Sequence, residues 1–167
     1  MFIDFLRKKK MLDYSSRELV IDILKKLNCT IKEDEDSMYF TYQGKDFVIK
    51  PLSRDNLLIY SQEGKIDLDD KNILILQRVL NHINYQYEYL SSFGVEDKES
   101  NSWWVINKVT TVFIPEIPEI QVYLQKILNM FFDAGRDIRG MFQAEISRQE
   151  QTNEPFRVKG FNQVDKD

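Results

Sequence analysis

The chain has a single cysteine and a single histidine, and this scarcity excludes more chemistry than any motif introduces. Cys29 has no second thiol for an internal disulfide, and it lacks the neighbouring Cys and His residues of a zinc site. It follows a helical stretch and opens an extended one, so it reads as a small core residue. His82, between Asn81 and Ile83, has neither a second ligand nor a nucleophile near it in sequence and reads as a partly exposed, locally bonded side chain. The six glycines form no phosphate-cradling loop. Gly135 and Gly140 flank Arg136-Asp137-Ile138-Arg139, but within a helical pattern rather than after a strand. Gly-x-Ser-x-Gly, His-Glu-x-x-His and Cys-x-x-Cys are absent. The residues name no catalytic group, no cofactor and no metal, and a non-enzyme is expected. A site assembled at long range from carboxylates, Tyr or Lys stays open.

Charge of one sign is also scarce. A net charge of −4 gives the whole chain no field that would draw a polyanion. The local exception, Arg7-Lys8-Lys9-Lys10, reads as a solvated arm. No window approaches the roughly 18 to 20 apolar residues of a membrane span. Met1-Phe2-Ile3-Asp4-Phe5-Leu6 lacks the positive start and longer apolar stretch of a secretory signal. The default is a cytoplasmic protein with neither membrane nor nucleic acid as partner.

Against these absences stand 43% apolar and 30% charged residues over 167 positions, enough for one well-cored domain. Ser15-Ser16-Arg17-Glu18 reads as a capping box, followed by the helical stripe Leu19, Val20, Ile23, Leu24 and Leu27 up to Asn28. The period then changes to two. Met38, Phe40 and Tyr42 alternate with Tyr39 and Thr41, and Phe47 and Ile49 alternate with Val48 and Lys50. The acidic run Glu33-Asp34-Glu35-Asp36 and the pair Gln43-Gly44 mark turns of a meander. The acidic run lacks the Gly and terminal Glu of a calcium loop. Leu57-Leu58-Ile59-Tyr60 is a further strand, ended by Gln62-Glu63-Gly64. Asp69 or Asp70 caps a second helix with the stripe Ile73, Leu76, Leu80 and Ile83, broadened by Leu74 and Val79. Tyr85, Tyr87 and Tyr89 alternate with Gln86 and Glu88 as a strand. Glu96 to Ser102 is a hairpin connection, and Trp103 to Ile114 is its partner strand.

Pro115 and Pro118 end that strand and set up the last helix. Ile120, Leu124, Ile127, Leu128, Phe131, Phe132, Ile138, Met141 and Phe142 keep helical spacing. Run unbroken from about 118 to 147, the helix spans roughly 45 Å at 1.5 Å per residue, unless Gly135 or Gly140 interrupts it. The fold class is therefore α+β. An antiparallel sheet with flanking helices is expected in the order α-β-β-β(-β)-α-β-β-α, with the long C-terminal helix packed on the sheet. The expected organisation is a basic N-terminal arm or short helix at 1–14, one domain at 15–148, and a polar tail at 149–167 carrying Phe156 and Phe161.

That order resembles the YbjN family and the wider type III secretion chaperone-like fold. Other points of likeness are Gly44 in a strand turn before Phe47-Val48-Ile49, and Asn81-His82-Ile83-Asn84 closing the second helix just before a strand. The long terminal helix, with its aromatic run to Met141-Phe142, is a further one. The resemblance covers about residues 15 to 146. It implies a small α+β protein, often dimeric, that binds other polypeptides or serves a regulatory role. It carries no active-site residues to transfer. The basic arm and the tail depart from it.

Trp103 and Trp104 are adjacent on one strand and so point to opposite sheet faces. One face carries Trp103, Val105, Asn107, Val109, Thr111 and Phe113; the other carries Trp104, Ile106, Lys108, Thr110, Val112 and Ile114. The terminal helix covers one of them. The other needs helix one or two, or a second protein. The terminal helix also outruns its sheet, leaving Ile138, Met141, Phe142 and Ile146 with no strand beneath them and Arg136 and Arg139 at their rim. The expected interaction residues are Trp104, Ile106, Val112, Ile138, Met141 and Phe142. The expected partner is a protein, with a homodimer as the first arrangement. A pocket between sheet and helices for a small molecule is the alternative. The tyrosine stripe also suits base stacking, but Glu88 beside it and the lack of Lys or Arg on that strand argue against nucleic acid.

Overall fold

The computed structural model describes residues 15–67 and 70–152. The expected basic arm at 1–14, a cap at Asp69, and Phe156 and Phe161 of the expected tail lie outside the described residues. The elements follow the order α1 (Ser16–Lys26), β1 (Ile31–Glu33), β2 (Met38–Tyr42), β3 (Lys45–Pro51), β4 (Asn56–Asp67), α2 (Asp70–Gln86), β5 (Leu90–Asp97), β6 (Ser102–Val112) and α3 (Ile120–Thr152). The fold is α+β, an antiparallel six-stranded sheet in the order β1-β2-β3-β4-β6-β5.

Local chemistry sets the boundaries. The Ser15 side chain accepts from the Glu18 backbone N–H while Glu18 reaches back to the Ser15 N–H, so the capping box opens α1. The helix closes with Asn28 at a φ of 58°. The Cys29 N–H bonds to the Leu24 carbonyl and the Asn28 N–H to that of Lys25, the paired bonds of a Schellman ending. Gln43 and Gly44 both have positive φ, as a two-residue hairpin turn between Tyr42 and Lys45 requires.

The three described helices all lie on one side of the sheet. A single buried cluster joins Val20, Ile23 and Leu24 of α1, Ile75 to Ile83 of α2, and Leu124 to Ile138 of α3 to the inward residues of the strands. Leu124, Leu128 and Phe131 are fully buried and Ile127 nearly so, against Phe40, Phe47 and Val109, as the helical stripe predicts. Phe131 meets Phe47 edge-on at 5.3 Å between ring centres.

Four expectations are corrected. Tyr85 belongs to α2 and Tyr89 to the turn beyond it, so the tyrosine alternation is not a strand; the strand is Leu90–Asp97. β4 does not stop at Gln62-Glu63-Gly64 but continues to Asp67 through a register shift at that point. Of the two readings of α3 the unbroken one holds, past both Gly135 and Gly140, but the helix runs on to Thr152 rather than ending near 147. Its second half is not without cover. Ile138 is 3% exposed, Met141, Phe142 and Ile146 pack on the core, and Arg78 of α2 reaches Glu145 at 3.5 Å. The stripe that outruns the sheet is covered by α2, which sequence periodicity alone could not place.

α2 and α3 are also joined through a phenol. The Tyr87 hydroxyl donates to Asp137 Oδ2 at 2.7 Å. Burial, followed by this bond to a carboxylate, raises the Tyr87 phenol from 10.0 to about 12. A raised phenol favours the fold fully below its unfolded value and loses that contribution as pH climbs through its folded one. Stability should therefore fall between about pH 10 and pH 12, and Tyr87→Phe should flatten that limb of a urea-midpoint profile. An unchanged profile in the variant would remove the assignment. In the core, Phe131→Ala should cost about 3 to 5 kcal/mol by chemical denaturation, and a loss under about 1 kcal/mol would show the site collapses.

Candidate functional site

Two features need more than packing to explain them, and the first is the sheet face away from the helices. Strand alternation and register place Tyr39, Val48, Tyr60 and Lys108 in one row across it. Gln62, Ile106 and Phe93 form a second row, and Lys65, Trp104 and Val95 a third. Trp104, Ile106 and Val112 thus stand on this open face, on the opposite side from Val105, Asn107 and Val109, as expected. Val112, Val95 and Phe93 are 49%, 41% and 37% exposed, while Val48, Leu58, Tyr60, Trp104 and Ile106 are shaded by their neighbours to an intermediate degree. Lys65 Nζ lies 5.1 Å from the centre of the Trp104 ring and Lys108 Nζ 5.2 Å from that of Phe93. The indole N–H of Trp104 donates to Asp97 Oδ2 at 3.2 Å. Hydrogen bonds to Asp97, led by that from the Ser100 hydroxyl, hold its carboxyl below the usual range.

The second feature is a buried carboxylate. Glu63 is the extra residue where the pairing with β6 shifts between Gln62 and Gly64. Its side chain faces the helices in phase with Ile59 and Ser61, and the bulge reverses the alternation beyond it, so that Lys65 pairs with Trp104 on the outer face. The Glu63 side chain is only 2% exposed. Its Oε1 accepts from Lys45 Nζ, and from Asn107 Nδ2 at 2.9 Å. Oε2 lies 3.5 Å from Arg139 Nη1. The bonding continues inward. Asn107 accepts from the Ser92 hydroxyl, and the Ser92 backbone is bracketed by the Asn84 amide at 2.6 and 2.9 Å. Residues of β3, β4, β5, β6, α2 and α3 converge on the chain of bonds.

The helix makes room for it. A Cβ at Gly135 would lie 2.0 Å from Glu63 Oε2, so only glycine lets α3 approach this closely. Beside the carboxylate opens a cleft of about 430 Å³ lined by Lys45, Glu63, Phe132 and Arg139 with the Gln43-Gly44 turn, Asp46 and Gln62. Lys45 Nζ also sits 5.6 Å from the centre of the Phe132 ring.

Of the residues expected to meet a partner, Ile138 is withdrawn into the core, and Met141 and Phe142 are packed against it. Arg136 pairs with Asp133 on its own helix, whereas Arg139 leans to Glu63. His82 is exposed on α2, and Cys29 is half-buried with its thiol raised by desolvation; neither lines the cleft. Among the described residues no His, Cys, Asp and Glu side chains group so as to hold a metal ion, and no helix is long and apolar enough to cross a membrane. The Glu63 cluster was not read from the sequence, although a Gly one residue after a carboxylate inside an extended stretch is the ordinary signal of a bulge.

No protein-family model matches the chain, and no curated protein matches it significantly. Among solved structures, its fold is similar to that of YbjN from E. coli, a proposed transcription regulator. The TM-score is 0.49 at 13% identity, over 79% of this chain and 92% of that one.

Gly135→Ala separates packing from propensity. Alanine is the better helix former by about 1 kcal/mol, yet its methyl would occupy the space of the Glu63 carboxylate. The variant should be less stable than the parent by thermal or urea unfolding. A variant of equal or greater stability would show that Glu63 can leave the cluster at no cost.

Proposed function

We propose that this chain is a non-enzymatic protein-binding module, an adaptor or chaperone-like protein, and that it binds through the open face of its sheet. One observation carries the reading. The three described helices pack on one face, and no described helix lies on the other, where Trp104 and Ile106 are half-buried beside Phe93 and Val95 of β5 and Val112 stands exposed farther along β6.

A solvated outer face is the plain alternative, and the lysine stems over Trp104 and Phe93 go part of the way toward it. They do not reach Val95 or Val112, each more than two-fifths exposed. Asp46 and Asp97 among the lysines make the face mixed in charge, which suits a polypeptide better than a nucleic acid backbone.

The first partner in this reading is a second copy, because a two-fold axis lets one patch serve both chains. Sedimentation equilibrium should give about twice 19.9 kDa. Val95→Asp and Val112→Asp, at exposed positions where folding tolerates a charge to within about 0.5 kcal/mol, should each shift the chain toward monomer with little change in melting temperature. A monomer at high micromolar concentration, or a dimer indifferent to both substitutions, would end the proposal.

A further inference from the structure

We propose that the cleft beside Glu63 is a binding site for a small monocarboxylic acid, taken up by Arg139 with its apolar body against Phe132. The inference does not depend on the open face, since the cleft lies on the helix side of the sheet, where α3 crosses the bulge.

The charges select the ligand. Lys45 and Arg139 bring two positive charges to the cleft and Glu63 one negative charge. Asp46 also lines it, but its carboxylate belongs to the other sheet face, where Oδ1 accepts from the Thr41 hydroxyl at 2.6 Å. Lys45, 14% exposed and bonded to Glu63, neutralises that carboxylate with help from Asn107. Arg139 is left over. Its side chain is 63% exposed, and among the described residues its one polar contact is the 3.5 Å approach to Glu63. That contact is long and wet, so it adds little to stability, but it holds one end of the guanidinium at the cleft wall. The other N–H groups form a planar fork suited to a carboxylate. One added negative charge balances the cleft. A dianion such as phosphate would leave an excess negative charge close to the buried Glu63, which repels it.

The shape agrees with that choice. At about 430 Å³, the cleft falls in the range of small-molecule sites, roughly 300 to 1,000 Å³. The Phe132 ring supplies an apolar wall, held in place by contacts with Phe47 and Tyr42. The Gln43-Gly44 turn supplies a rim without a side chain at Gly44.

The test is a titration of the full chain with sodium benzoate, followed by backbone and arginine side-chain NMR at constant ionic strength. Saturable shifts should appear at Lys45, Glu63, Phe132 and Arg139. Arg139→Gln, at an exposed position that leaves the fold intact by melting temperature, should weaken benzoate binding by about tenfold or more. Sodium phosphate at the same ionic strength should bind more weakly than benzoate. Shifts that do not saturate, benzoate binding unaffected by Arg139→Gln, or phosphate binding as tight as benzoate would each overturn the assignment.

Discussion

A six-stranded antiparallel sheet presents two faces, and every described helix of this chain is committed to the same one. That constraint governs the rest. Alternation along β2 turns Met38, Phe40 and Tyr42 inward and Tyr39 and Thr41 outward, and the register carries the same division across to β6 and β5. Inward residues are almost wholly apolar, with Ser61, Ser92 and Asn107 as the buried polar exceptions. Outward residues mix large apolar groups with lysines, a composition that neither buries well nor solvates completely. Because α2 is used to cover the second half of α3, it is not free to cover this outer face as well.

Two of the polar exceptions are linked. Ser92 and Asn107 lie on the path from Glu63 to Asn84, while the Ser61 hydroxyl donates to the Asp46 carbonyl. Glu63 faces the helices in phase with Leu57, Ile59 and Ser61, and the bulge falls where that phase breaks, so that Lys65 joins the outer face. A buried ion pair is weak support for stability, since well-packed apolar residues of similar volume often do as well or better, whereas removing one partner of a pair is costly. The cluster therefore does not explain itself as a stabilising device. A bulge, a glycine in mid-helix, a buried carboxylate and its neutralising lysine are four local departures from the easiest way to fold, all meeting at one cleft. Such concentrations of local conflict are expected where a protein binds something.

The sequence showed the skeleton because its strongest signals were the ones that packing also used. Phe131 and Leu124 fall on a stripe that the long helix buries, and the capping box at Ser15 does its work in the folded chain. It misled at Tyr85, Tyr87 and Tyr89, where residues four apart fit a helix end as well as a strand. There the helix prevails, with the Tyr87 N–H still bonded to the Ile83 carbonyl. The true strand, Leu90 to Asp97, is rich in Ser and Gly and has little strand character of its own. Pairing with β6 creates it, and the Trp103 ring fills the space over Gly94. The Glu63 cluster was out of reach for a similar reason. Lys45, Glu63, Asn107 and Arg139 are far apart in sequence, and only the register of β4 and the path of α3 bring them together. Ile138 was misassigned because periodicity shows which face of a helix is apolar but not which neighbour lies on it.

The two edges of the sheet differ in how far they discourage pairing with another chain. β1 is three residues long and carries Lys32 and Glu33, both devices that discourage pairing with another chain. β5 is eight residues long, lacks Pro and Lys, and has its two acids together at one end. The Asn84 amide takes both the N–H and the carbonyl of Ser92, so only the part of the edge beyond Ser92 presents backbone donors and acceptors to an extended chain. Phe93 and Val95 stand on the same strand, and Val95 pairs with Trp104, so these side chains adjoin the free part of the edge, whereas Val112 lies farther along β6, beyond Lys108 and Thr110. The lysine stems over Trp104 and Phe93 shade rings that would otherwise meet water, and because those stems are flexible the shading is reversible.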